Sequence, residues 1–238
     1  MAEYIQRVEI MECDYYYQLP PKQLLEHCLS LTLLDMRQDG CGPEAILERL
    51  NAVWMISHMR YTQSAPIMHD DLLTYRTFPR TTERGRYRQH VDILRDGKKL
   101  VDFDTSYIPV HREARHILRL NQLEPMWIVP PEACDAPPLL SIRPDCEFVP
   151  CGGDTVRLSD CDKNHHMTSG AYLSLVCNAL DFWESESPRF MHFMQVDFSS
   201  EVRPGTALQF FRGESGFLRY VRGVKPDGKT AFTAACEF

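Results

Sequence analysis

The chain has 238 residues, 44% hydrophobic and 25% charged. These are values of a soluble, core-forming protein, and the length suits one large domain or two halves of about 120 residues. A formal charge of −7 argues against general nucleic-acid binding, which rests on a basic surface. No apolar run approaches the roughly 20 residues that span a bilayer, and the opening Met-Ala-Glu-Tyr-Ile-Gln-Arg lacks the charged-then-apolar pattern of a signal peptide, so a cytoplasmic protein is expected. Nine cysteines form no Cys-x-x-Cys pair and no zinc-spaced cluster with histidine. They read as reduced, mostly buried thiols, and neither a metal nor a cofactor is expected.

Two helices stand out along the chain. After Pro20 and Pro21, residues Leu25, Cys28, Leu29, Thr32, Leu33 and Met36 make one apolar stripe, closed by Gly40 and Gly42; the spacing predicts a helix over 20–37. Pro43 to Asn51 reads as a short extra helix. Four β-like runs follow, Trp54–Thr62, Leu72–Phe78, Tyr87–Leu94 and Lys99–Ile108, with the hairpin signal Asp96-Gly97 between the last two. A proline-rich linker runs from Glu124 to about Pro144. Then Thr168 or Ser169 can cap a second helix, predicted over 168–184, with Tyr172, Leu175, Val176, Ala179, Leu180 and Trp183 on its stripe and Pro188 beyond it. Four more β-like runs close the chain: His192–Phe198, Ala207–Arg212, Phe217–Val224 and Thr230–Phe238, with Asp227-Gly228 between the last two.

The second half repeats the first. Glu12-Cys13-Asp14 precedes the first helix and Asp160-Cys161-Asp162 precedes the second, offset by 148 positions, an offset that shrinks after the extra helix. One strand, one buried helix, then an antiparallel meander is the order of a hotdog unit. The expectation is an α+β tandem double hotdog, two antiparallel sheets each wrapped around a long central helix and joined edge to edge as one continuous sheet, which shields those edges from pairing with other chains. The expected division is residues 1–125, a linker at 126–144, and residues 145–238.

The halves differ in chemistry. The first continues Tyr15-Tyr16-Tyr17-Gln18, without an acid–base group that works near neutral pH. The second continues Asp162-Lys163-Asn164-His165-His166. Asp162, Asn164 and His166 would share one face if extended, at a strand-to-helix junction whose backbone N–H groups can serve an oxyanion. The same residues could equally cap the helix and turn the chain.

Asp162-x-Asn164-x-His166 resembles the Asp-x-Asn-x-His motif of acyl-acyl-carrier-protein thioesterases, the plant plastid enzymes and their bacterial relatives. In that family a glutamate follows the histidine by about 35 residues, and Val196-Asp197-Phe198-Ser199-Ser200-Glu201 places Glu201 there. Trp54-Met55-Ile56-Ser57-His58-Met59-Arg60 and Asp71–Thr77 are similar to family segments of the first half. The resemblance implies hydrolysis of an acyl thioester on an acyl carrier protein, with Asp162, Asn164, His166 and Glu201 as the catalytic set and the acyl chain held in the N-terminal unit by Trp54, Met55, Met59 and Ile67. The chain departs from the pattern at Met167-Thr168-Ser169, where relatives have Val-Asn-Asn, and at Val202, where plant enzymes often have cysteine.

Between Arg76 and Arg119 stand eleven Lys or Arg against six Asp or Glu. Arg76, Arg80, Arg84, Arg86, Arg88, Lys98 and Lys99 are the expected docking charges for an acidic carrier protein, although an ordinary solvated sheet face reads the same way. A homodimer is left open. Other readings are an acyl-coenzyme A thioesterase, a hotdog enoyl-thioester hydratase or dehydratase, and a non-catalytic acyl-binding module.

Overall fold

The computed structural model describes residues 2–83, 85–128, 133–184 and 188–238. The first half contributes β1 (Ala2–Arg7), α1 (Pro21–Gln38), α2 (Pro43–Leu50), β2 (Ala52–Gln63), β3 (Leu72–Glu83), β4 (Arg86–Arg95) and β5 (Lys98–His111). A one-turn α3 (Pro125–Ile128) follows. The second half contributes β6 (Val149–Thr155), α4 (Ser169–Ala179), β7 (Phe193–Phe198), β8 (Ala207–Ser215), β9 (Leu218–Val224) and β10 (Thr230–Glu237).

All ten strands form one sheet in the order β1-β3-β4-β5-β2-β7-β10-β9-β8-β6. Read inward from either edge, each half runs first, third, fourth, fifth and second strand, so the duplication seen in the sequence is a duplication of topology. The two units join edge to edge as the one continuous sheet expected: β2 pairs antiparallel with β7, from His58–Asp197 to Thr62–Phe193. Fusion leaves two edges, the short β1 and β6, instead of four. Asp96 and Gly97 both take positive φ (52° and 74°), the backbone that a tight β4–β5 hairpin requires.

The helices lie on the inner face. Helix α1 buries Leu24, Leu25, Cys28, Thr32, Asp35 and Met36, and Gly40 in a left-handed turn (φ 72°) ends it. Helix α4 is capped by Thr168, whose Oγ1 accepts the Ala171 N–H at 3.2 Å. It stops at Ala179 rather than 184, because Asp181 takes φ 51° and breaks the helical phase. Phe182 therefore turns inward, 3% exposed, and Trp183 is 42% exposed rather than on the stripe. One continuous core joins Leu25, Cys28, Tyr61 and Phe103 of the first half to Val176, Val196 and Phe232 of the second. All nine cysteines are free.

The outer face of β2, β4, β5 and β7 is also covered. The described part of the linker crosses it as a strap. Cys134 is laid along β3, with its N–H on Pro79 O (3.1 Å) and its carbonyl accepting the Thr81 N–H (3.0 Å). Leu140 O accepts Gln195 Nε2 at 2.7 Å, and the Ile142 N–H donates to Asp197 Oδ2 at 2.6 Å. Beneath and beside it lies a buried ionic cluster centred on Asp104, 4% exposed, with His90 Nδ1 at 3.0 Å and Arg60, Arg80 and Arg88 at 3.3–3.7 Å. His90 Nε2 meets Asp92 Oδ1 at 3.0 Å. Lys99 Nζ sits between Asp92 and Asp102, at 2.9 and 2.8 Å, and neutralises this acidic pair.

Candidate active site

The segment before α4 is a tight turn rather than an extended face. Asp162 N–H donates to His166 O (2.9 Å), His165 N–H donates to Asp162 O (3.0 Å), and His165 takes the left-handed conformation at φ 58°. The Asp162 carboxylate is the hub. Its Oδ1 accepts the backbone N–H groups of Asn164 (2.8 Å) and His166 (3.3 Å), while Oδ2 accepts Asn164 Nδ2 at 2.9 Å. An aspartate that accepts N–H groups two and four residues on stabilises such a turn by itself.

The first half contains the same turn without the chemistry. Asp14 Oδ1 accepts the N–H groups of Tyr16 and Gln18, both at 2.9 Å, and Tyr17 takes φ 60°. Leu19 N–H donates to Ile67 O (2.8 Å), as Met167 N–H donates to Val202 O (2.9 Å). By this match Asp14, Tyr16, Tyr17 and Gln18 stand where Asp162, Asn164, His165 and His166 stand, and Pro66 stands where Glu201 stands. The offset falls from 148 to 135, and the 13 residues lost lie between the first helix and the β2–β7 seam, where the first half carries a longer helix and the eight residues of α2.

Glu201 follows the end of β7, and the Met167–Val202 hydrogen bond draws it to the turn. Its Oε2 lies 3.0 Å from His166 Nε2. Its Oε1 pairs with the guanidinium of Arg115, which comes from the turn after β5 in the other half. Burial, then the charge of Arg115, lower the His166 pKa from its ordinary value. Asp162 pulls it upward, while Arg203 and His165 push further down. These influences favour the neutral imidazole, the form able to accept a proton at one nitrogen and donate one from the other.

His166 rather than His165 is the inward histidine; His165 is exposed, as is its counterpart Tyr17. Cys161 is no nucleophile. Burial, then Asp160 and Asp162, raise its pKa, and its Sγ donates to Arg157 O at 3.4 Å as Cys13 Sγ donates to Glu9 O at 3.5 Å. The oxyanion role considered for the α4 N-terminus meets an obstacle: a Cβ on Gly170 would stand 2.5 Å from Glu26 Oε1, so a carboxylate already lies there. A second negative charge is disfavoured beside it.

Of the expected acyl-chain residues, Met55 reaches the site, with its Sδ 4.0 Å from Arg115 Nη2. Trp54 donates from Nε1 to Cys41 O (2.7 Å) and packs on Tyr87, while Met59 and Ile67 are fully buried core. The expected docking charges are scattered. Arg88 is 2% exposed and Arg80 joins it at Asp104, so burial removes Arg88 from any surface role. Arg76 pairs with Glu3 and Lys99 with Asp92 and Asp102; Arg84 lies outside the described residues. Lys98 and Lys99 begin β5, which runs 14 residues before the turn that carries Arg115. That is about 40 Å of strand at roughly 3.3 Å per residue, so these two lysines are at the far end from the site. Arg86, half-buried at the start of β4, is at the near end.

Arg115 was missed by sequence reasoning. It is one of eleven cations in its stretch, and no spacing sets it apart.

The family described as acyl-ACP thioesterase C-terminal domain matches residues 153–227, which include the whole Asp162–His166 turn and Glu201. No curated protein matches the chain. Among solved structures, an acyl-ACP thioesterase from Bacteroides thetaiotaomicron is similar over 100% of this chain and 97% of its own, at 18% identity and a TM-score of 0.83. A 12:0-ACP thioesterase from Umbellularia californica is similar over 99% of this chain and 96% of its own, at 14% identity and a TM-score of 0.84. The fold is that of a double hotdog, and the match over its C-terminal half is to a family of thioester hydrolases. The resemblance read from the motif is borne out over residues 153–227, which match the acyl-ACP thioesterase C-terminal domain.

Proposed function

We propose that the chain hydrolyses fatty acyl groups from acyl carrier protein, with Glu201 as general base. The observation that carries this reading is the 3.0 Å approach of Glu201 Oε2 to His166 Nε2, residues 35 apart in sequence, in the half that has both groups and not in the half that lacks them. Glu201 takes a proton from water, whose oxygen attacks the thioester carbonyl carbon. The C–S bond then breaks, releasing the fatty acid, and the proton passes through His166 to the departing thiolate. Asp162 has both carboxylate oxygens committed to the turn, so its part is to place Asn164 and His166. The Asn164 amide keeps a second N–H for the substrate oxygen.

The acyl chain enters beside Met55 and lies in the N-terminal unit, between α1 and the sheet, with Trp54, Met59 and Ile67 along its course once the core opens. Residues 1–125 then serve as the acyl-binding unit and 145–238 as the catalytic one, joined by the strap. An acidic carrier docks on cations at the site end, Arg86 and Arg203 first, because the thioester must reach Glu201. Nine free cysteines suit a reducing compartment, so we place the protein in the cytoplasm, in fatty acid biosynthesis. Among the described residues no helix is long and apolar enough to cross a membrane.

Release of free fatty acid from a panel of acyl carrier proteins and acyl-coenzyme A thioesters tests the reading. Hydrolysis of carrier-bound substrates is expected, lowered by about 10²–10⁴ in Glu201→Gln. Hydrolysis of coenzyme A thioesters alone, or hydration of enoyl thioesters without hydrolysis, would overturn it.

A further inference from the structure

We propose that Arg115 is a positioning residue for this reaction, through which the N-terminal unit holds the Glu201 carboxylate in place against His166. The proposal rests on the hydrolytic reading above and gives the N-terminal unit a part in catalysis beyond holding the acyl chain.

Three observations lead to it. Arg115 is brought to the site by a built turn: the Arg115 N–H donates to His111 O at 3.0 Å and the His111 N–H to His116 O at 2.9 Å, with φ 54° at Arg115. The rings of His111 and His116 stack at 5.5 Å across the same turn. A non-glycine residue held at positive φ is uncommon and marks a position that the surroundings impose. Second, the guanidinium takes Glu201 Oε1 while Oε2 faces His166 Nε2 at 3.0 Å, so each carboxylate oxygen is turned to a group from a different half of the chain. A planar fork suits this task better than an ammonium, because its donors fix direction as well as charge. Third, the pair is two-thirds or more shielded from solvent, with side chains 33% and 26% exposed, so its geometry persists better than that of a surface pair.

The electrostatics follow from the placement. The charged groups acting on His166 are Arg115 from the first half and Asp162, His165 and Arg203 from the second, with Glu201 in contact; Met55 beside Arg115 is neutral. Arg115 favours the ionised carboxylate of Glu201 and opposes a positive charge on His166. Both effects keep the general base free of its proton and the imidazole neutral, the pairing that water activation needs.

The test is steady-state hydrolysis across pH by wild type, Arg115→Gln, Arg115→Lys and, as a control one turn position away, Arg112→Gln. Arg115→Gln should lower kcat about 10²-fold, the order expected from a misplaced catalytic group, with little change in KM. Its acid limb should move to higher pH, since loss of a neighbouring cation favours the protonated forms of both Glu201 and His166. Arg115→Lys should restore the limb but only part of kcat, and Arg112→Gln should behave as wild type. Circular dichroism and Tm establish that each variant is folded; if Arg115→Gln is not, Arg115→Lys decides the question through the same split between limb and kcat. An unchanged kcat and limb in a folded Arg115 variant, with wild type active, overturns the proposal alone. A wild type inactive on every thioester overturns instead the reading beneath it.

Discussion

Because the Asp162 turn and the Asp14 turn are the same construction, the structural and chemical contributions of Asp162 can be measured apart. Asp162→Ala removes three hydrogen bonds, from the N–H groups of Asn164 and His166 and from Asn164 Nδ2. Asp14→Ala removes two, from the N–H groups of Tyr16 and Gln18. Each net hydrogen bond contributes about 0.5–1.5 kcal/mol, toward the lower end where solvent can replace the lost acceptor. Each variant therefore loses roughly 1–2 kcal/mol, which in a chain of this size lowers Tm by about 2–8 °C. The kinetics should diverge. Asp162→Ala sets Asn164 and His166 loose and should cut kcat by about 10²–10⁴, whereas Asp14→Ala should hydrolyse acyl carrier protein at the wild-type rate. The assay is Tm by calorimetry beside kcat on one carrier-bound acyl chain. Near-normal turnover by Asp162→Ala, or an equal loss from Asp14→Ala in a folded protein, would refute the reasoning.

Four further outcomes are expected. Glu201→Gln should lower kcat by about 10²–10⁴, and the Asp162→Ala/Glu201→Gln double variant should be little worse than the weaker single one, since residues acting as a unit are not additive; His165→Ala and Cys161→Ser should stay within a few-fold of wild type. Since the His166 pKa is lowered, turnover should hold at pH values where an ordinary imidazole is already protonated, and fall only below them, as a kcat–pH profile would show. Burial raises the Asp104 pKa, but the His90 hydrogen bond and then the charges of His90, Arg88 and Arg80 outweigh it and leave it lowered from 3.8. Its stabilising share is then fully present above pH 4 and lost as pH falls through the folded value; Asp104→Asn, which strands those cations, should cost about 3–5 kcal/mol in urea unfolding at pH 7. Arg86→Glu should raise KM for carrier-bound substrate but not for a short synthetic thioester, and Lys98→Glu, at the far end of β5, should change neither.

How much of this was legible in the sequence depends on how local each cause is. Helix stripes, the Asp96-Gly97 hairpin and the Thr168 cap are decided by neighbours a few residues away, so α1, α4 and the meander strands could be read directly. The repeated acidic-Cys-Asp triplet exposed the duplication, and the motif spacing put Glu201 with His166 by resemblance. The overreach of α4 to Trp183 had a local cause as well, the left-handed turn at Asp181, but nothing in the residue pattern announces it. Other features are decided by contacts across tens of residues, and there the chain alone is silent. That the two sheets join was expected from the duplication, but that β2 and β7 are the strands that meet depends on how the halves pack. Arg88 and Lys98 are both cations on predicted strands, yet one is buried on Asp104 beneath the strap and the other stands at a distant hairpin, because pairing register and linker path assign their surroundings. Arg115 reaches Glu201 only because the turn after β5 in one half abuts the strand end of the other. The sequence determined the units and which half carries acid–base groups; the tertiary structure alone decided what surrounds them, since a charge takes its role from the partners and burial that folding provides.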